Sequence, residues 1–288
     1  MKTNRRGLTT VGIVVAIVVA VVVIGVAAYF ISAPFRGKVN EQYDQFAKWT
    51  PENIAKHVSK GDDVSEALGI KKWEAPIPAQ LGGQVRGAFP GSIPKTDQER
   101  IQNLSAQLAL WKSRGYHWEI TEKLDGTSMT VFLDGDGRFG VCGRNWELTE
   151  TDDNSLWRAA RANGMEDKLR SVGKALAIQG ELIGEGIQGN HYRLKAQQFW
   201  VYDVYDITAG RYWSAMDRQL LIGSLGLNHV PRIGTGELDA DVPTLLQWAD
   251  GNSQLAQSVR REGLVFKCFE DPSISFKAIS NAWLLAHD

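Results

Sequence analysis

Charged residues recur inside segments that otherwise read as apolar strands. Lys123 stands in ITEKLDG, Arg144 in VCGRN, Glu181 in IQGELIGEGIQGN, Glu262 and Lys267 in REGLVFK, and Lys277 in SFKAIS. A strand carries a charge in its interior only where that residue faces water or a site. One such residue is ordinary surface. A series with both signs mixed predicts several strands lining one cleft for a phosphorylated ligand. Lys123 raises the sharpest question, because Asp125-Gly126 follows two residues later as a turn signal between two strand-like runs. By itself this reads as a lysine at a hairpin corner.

Alternative chemistries are narrowed by composition. The 288 residues carry a formal net charge of -1, so nucleic acid would need a local basic patch rather than a bulk field. Cys142 and Cys268 are the only cysteines, which excludes a disulfide framework and a Cys-rich zinc site. The five histidines show no pair at i,i+4 spacing.

The chain divides by pattern into 1–35, 36–70 and 71–288. Val11 to Ile31 holds no charged residue and is long enough to cross a bilayer as a helix, so the expectation is a retained single-pass membrane anchor. Flanking basic residues slightly favour an outside location for the chain that follows, whereas a phosphorylated ligand of the kind the charged strands suggest favours the inside, and a cytoplasmic placement is expected. Residues 36–70 read as a juxtamembrane helical segment and linker. Thr96-x-x-Glu99 is a capping box, and Ile101, Leu104, Leu108 and Trp111 follow at helical spacing, predicting a helix over 97–113. Strands are expected at HWEITEKL, SMTVFL, RFGVCGR, ALAIQGELIG, QFWVYDVYDI, GLVFKCF and SISFKAI, with helices over 154–176, 215–225 and 242–258. No βαβ rhythm appears, so the fold class is α+β with largely antiparallel sheets.

Taken in order, these segments resemble the covalent nucleotidyltransferases: ATP-dependent RNA and DNA ligases and capping enzymes. Lys123-Leu124-Asp125-Gly126 resembles their motif I, Gly180-Glu181-Leu182 motif III, Phe199 to Asp203 motif IIIa, Glu262 to Lys267 motif IV, and Lys277 motif V. GELIGEGIQGN and KAISN are similar to RNA ligases of the nick-sealing, Deinococcus-type group. The resemblance spans about Asp63 to Leu285. It implies an ATP-grasp-like nucleotidyltransferase adenylation domain of mostly antiparallel sheets with flanking helices.

The resemblance also implies roles. Lys123 is the nucleophile that takes AMP from ATP, within the loop completed by Asp125 and Gly126. Lys267 and Lys277 neutralise phosphate charge, and Arg144 contacts a substrate phosphate. Glu122 lies at the adenine edge, Tyr202 stacks on the base and Glu181 holds the ribose. Glu262 helps place a divalent metal, Mg2+ or Mn2+. The partner is RNA with 3′-hydroxyl and 5′-phosphate ends at duplex nicks, as in RNA repair, and no obligate protein partner is implied. A non-catalytic nucleotide-binding remnant, a DNA ligase and a capping enzyme stay open as alternatives. Ile279 stands where many relatives carry a second motif V lysine, and no OB-like domain is recognisable, so RNA docking is expected to be weaker than adenylylation. Glu185, Asp203 and Asp206 read as local hydrogen-bonding or surface groups.

Overall fold

In a computed structural model, residues 81–287 and positions 56, 60 and 77 are described; those from 77 on belong to one compact unit, Ile77–Asp288. The expected helical segment at 36–70 falls almost wholly outside them. One expectation is corrected. Among the described residues no helix is long and apolar enough to cross a membrane, and Val11 to Ile31, on which the single-pass placement rested, lies outside them.

Two sheets make up the unit. The first has the order β1 (Val85–Ala88), β6 (Trp146–Leu148), β5 (Phe139–Cys142), β4 (Thr127–Leu133), β7 (Leu176–Ile183), β8 (Gln198–Asp206), β10 (Asn228–His229), with β9 (Arg211–Tyr212) also paired to β8. The second runs β11 (Arg232–Glu237), β3 (His117–Lys123), β12 (Gly263–Cys268), β13 (Ser275–Ile279), β2 (Glu99–Arg100). Pairing is antiparallel except for β8–β10 and β2–β13. Helices α1 (Ser105–Ser113), α2 (Ser155–Ala162), α3 (Met165–Val172), α4 (Ala215–Ser224), α5 (Val242–Ala249) and α6 (Asn281–His287) flank them.

Period-two alternation decides what each face carries. Met129, Val131, Ile178, Phe199 and Val201 bury one face of the first sheet against Leu156 and Trp157 of α2 and Leu169 of α3. In the second sheet Trp118, Leu264, Phe266 and Phe276 pack on Trp111 of α1 and Leu245 of α5. Phe276 stacks on Phe266 at 4.7 Å and on Trp111 at 5.7 Å between ring centroids. Burying each such side chain contributes about 1.5–3 kcal/mol. The alternate positions, including Glu119, Thr121, Lys123, Val265, Lys267 and Lys277, are left for the opposite face.

Three predicted helices are shorter than their sequence pattern, and the one expected over 242–258 ends at Ala249, where Asp250 turns to extended backbone. The capping box does not form: Glu99 and Arg100 pair with Phe276 and Lys277 as an edge strand, and the helix starts at Ser105. The hydroxyl of Thr96 lies 3.1 Å from that of Ser128 instead. Over 154–176 the helix breaks at Gly164, which adopts φ +58 and separates α2 from α3. Asn154 caps α2, accepting from Leu156 N at 3.0 Å and Trp157 N at 3.1 Å.

Candidate active site

β3 and β4 are consecutive strands that do not pair with each other. Lys123 ends β3 in the second sheet, Thr127 begins β4 in the first, and Leu124-Asp125-Gly126 crosses between them. The lysine therefore sits where two sheets part, not at a hairpin corner. Leu124 anchors the crossing in an apolar cluster with Ile183, Tyr192 and Val230. A Cβ on Gly126 would lie 2.4 Å from the Leu182 carbonyl oxygen and 2.6 Å from Ile183 Cγ2. Glycine is needed there for close approach to β7.

Glu262 comes to the lysine from the far side. Lys123 Nζ donates to Glu262 Oε2 at 2.7 Å. Gly263 is opposite Lys123 in the β3–β12 register, so Glu262 precedes the strand and escapes its alternation. That reconciles Glu262 with Lys267, five positions on, which an unbroken strand would turn to opposite faces. Burial pushes the Glu262 carboxyl upward, and the Lys123 charge opposes that rise. Thr121, Val265 and Lys277 form the next cross-strand row. The Lys277 side chain makes no hydrogen bond or ion pair among the described residues. Burial, and after it the charge of Lys123, holds its ammonium below the usual lysine range.

The first sheet supplies the other wall. Glu181 is opposite Ser128 across β4–β7. Burial pushes its carboxyl up to about 8, with Lys123 pulling it down and Glu262 and Asp125 adding to the rise. Tyr202 is the extra residue of a β-bulge: Gln179 pairs with Asp203 and Gly180 with Val201, leaving Tyr202 unmatched. Burial, then the Glu181 charge, raises its phenol, while the neighbouring Thr96 and Ser128 hydroxyls oppose the rise. Trp200 packs in the same apolar cluster as Tyr202, but only Tyr202 of the two lines the cleft.

The cleft measures about 420 Å³ and gathers Glu122, Lys123, Asp125, Gly126, Arg144, Glu181, Tyr202, Lys267 and Lys277. Of the ten residues to which the resemblance assigns site roles, Glu262 alone is not on its wall, and it contacts Lys123 directly. Glu122 is fully buried; one carboxylate oxygen accepts from Gln254 N at 2.8 Å, and the other, Oε1, has no protein partner. Arg144 is at the rim, 64% exposed, with Nη2 2.5 Å from Asp97 Oδ1. A more open hollow of about 550 Å³ near Asp134, Lys174 and Asp206 shares no residue with the cleft.

Two groups of residues escaped sequence reasoning. Lys267 lines the cleft, yet its ammonium is committed to the Asp203 carboxylate. Arg218, 1% exposed on α4, pairs with Glu119 of β3 and lies 3.8 Å from Asp203. The result is a buried four-charge network between the sheets. Asp203 read as local because the bulge reverses the alternation just before it. The second group is His191 and Tyr192, which reach Asp125 from the glycine-rich loop after β7.

An unpartnered buried carboxylate oxygen suits a ligand N–H donor, and an unpaired lysine beside Lys123 suits phosphate oxygens. Among the described residues no group of three or more His, Cys, Asp and Glu side chains converges on a metal position. A divalent ion at Glu262 would therefore be shared with waters and phosphates, as Mg2+ prefers.

Comparison with known proteins identifies the fold and the family. No curated protein matches the chain. A Naegleria gruberi RNA ligase variant solved with ATP and Mn is 50% identical, with a TM-score of 0.69, over 79% of this chain and 67% of that one. A variant solved with AMP and Mn is 49% identical, with a TM-score of 0.69, over 78% and 67%. The same organism's RNA ligase with PPi is 48% identical, with a TM-score of 0.69, over 82% and 71%. The RNA ligase family profile matches residues 116–279, and the chain belongs to the RNA ligase family.

Proposed function

We propose that the chain is an ATP-dependent RNA ligase, a nucleotidyltransferase that carries AMP on Lys123. The observation that carries the reading is the Lys123–Glu262 contact of 2.7 Å at the sheet crossing. An ammonium is not nucleophilic, and Glu262, its carboxyl pushed upward by burial, is placed to take the proton. The neutral amine forms a P–N bond to the α-phosphate of ATP as the bond to pyrophosphate breaks. AMP then passes to an RNA 5′-phosphate, breaking the P–N bond, and an RNA 3′-hydroxyl displaces it to close the phosphodiester.

Lys277 neutralises phosphate charge, and Lys267, held by Asp203, adds positive potential behind it. Glu122 accepts from the adenine edge through its unpartnered oxygen, Tyr202 stacks on the base, and Glu181 holds the ribose. Arg144 exchanges Asp97 for a substrate phosphate, and Asp125 and Gly126 set the loop that aims Lys123. A divalent metal, when bound, supplies charge neutralisation at the phosphates, with Glu262 as its protein contact.

The preferred ends are those of nicked duplex RNA, as in the Deinococcus-type group. Support for this narrower reading is the wording of GELIGEGIQGN and KAISN. Incubation with ATP labelled on the α-phosphate and Mg2+ should give a labelled protein band that Lys123→Ala and Lys123→Arg both lose. Absence of label from the wild-type chain overturns the enzyme. Label from GTP in preference to ATP supports a capping-type reading, and sealing of nicked DNA over nicked RNA overturns the choice of substrate.

A further inference from the structure

We infer that His191 and Tyr192 are positioning residues that clamp Asp125 and thereby hold the Lys123 loop; the inference rests on the adenylylation reading above. The two neighbours grip different parts of one residue. The Tyr192 hydroxyl oxygen accepts from the Asp125 backbone N–H at 2.8 Å. His191 Nε2 lies 3.2 Å from Asp125 Oδ2, at ion-pair distance. Main chain and carboxylate are thus both fixed, two residues beyond the attacking lysine.

The segment bearing the clamp is wound tightly. Gln188, Asn190 and Arg193 adopt φ values of 45, 47 and 54, where non-glycine residues are rare. Asn190 ties the turn closed, donating to Leu194 O at 2.9 Å and accepting from Leu194 N at 3.0 Å. Such conformations persist only where their surroundings hold them. Here Tyr192 is 5% exposed and packs with Leu124 of the crossing itself. Behind His191 stands α6, with the Trp283 ring at 5.2 Å and that of His287 at 4.9 Å. The imidazole is held between this helix and Asp125.

Leu124 and Gly126 fix the two ends of the crossing loop by packing, and Asp125 between them is held by the clamp. Small displacements of a reacting group cost large factors in rate. The clamp therefore acts on the chemical step and leaves ATP binding, which is made by other walls of the cleft, nearly untouched.

The test uses the full chain with ATP and Mg2+. Single-turnover AMP attachment is measured against ATP concentration, and amide exchange is followed in the peptide spanning Lys123 to Thr127. Tyr192→Phe and His191→Ala should each slow attachment at saturating ATP by about tenfold. The half-saturating ATP concentration should move less than about twofold. His191→Gln, which keeps a terminal N–H donor, should recover most of the rate. Asp125 should exchange faster in both impaired variants. Wild-type rates, a loss confined to half-saturation, or a Gln variant no better than Ala overturns the positioning role. Unchanged exchange overturns the clamp. If the wild-type chain takes up no AMP, the proposed function falls, and the exchange measurement decides the clamp by itself.

Discussion

Lys123 and Glu262, 139 positions apart, meet at 2.7 Å because one ends β3 and the other enters β12 beside it. Replacing Glu262 by Ala removes the lysine's acceptor, and replacing it by Gln keeps an acceptor without a base. Both variants should lose AMP attachment by roughly a hundredfold or more. A Gln variant with wild-type single-turnover rate would show that Glu262 takes no proton.

Tyr202 separates stacking from hydrogen bonding. Tyr202→Ala should weaken nucleotide binding by roughly 1–3 kcal/mol. Tyr202→Phe keeps the ring and loses only the hydroxyl, so affinity and stability should both change little. Calorimetric titration with a non-hydrolysable ATP analogue, beside urea unfolding, distinguishes the two. A Trp200→Ala variant that carries the affinity loss instead would move the stacking role to that ring.

The buried Asp203–Lys267 pair should be strongly non-additive. Either Asp203→Leu or Lys267→Met leaves a charge in the interior and should cost about 3–5 kcal/mol. The double variant should cost clearly less than their sum, although Arg218, 3.8 Å from Asp203, then loses a neighbour. Urea unfolding of the three variants gives the coupling. Additive losses would mean that the pair is not formed.

Glu181 predicts a pH effect. Its folded value of about 8 lies above the usual carboxylate value of about 4.3, so the folded chain keeps a proton that the unfolded chain has released. Its contribution to stability is fully present below the unfolded value and lost as pH rises through about 8. The slope cannot exceed about 1.4 kcal/mol per pH unit, the limit for one proton. Glu181→Gln should flatten the curve between pH 5 and 8 relative to wild type, to roughly that extent. An unaltered curve would show that Glu181 ionises normally.

Much of the site was legible in the primary structure. Lys123, Arg144, Glu181, Lys267 and Lys277 break otherwise apolar runs, and all five line the cleft. The capping box at Thr96 misled for a definite reason. Local hydrogen bonding favours a helix start there, but Glu99 and Arg100 complete the edge of a sheet whose central strands lie far along the chain. His191 and Tyr192 gave no local signal, since a histidine and a tyrosine in a glycine-rich loop are unremarkable until Asp125 is known to lie beside them.

The sequence by itself determined which residues face inward on each strand, because side-chain direction has a period of two and the apolar residues declare it. It also set the chemical types of the site, since charges inside apolar strands need partners or a ligand. Only the tertiary structure decided which strands meet. β3 and β4 look like the arms of a hairpin, yet each pairs elsewhere, because long-range pairing is settled by the packing of the whole sheet rather than by the turn between neighbours. The bulge at Tyr202 is the second such decision. One unmatched residue restarts the alternation and turns Asp203 inward to Lys267, and no local pattern records where a strand will slip by one.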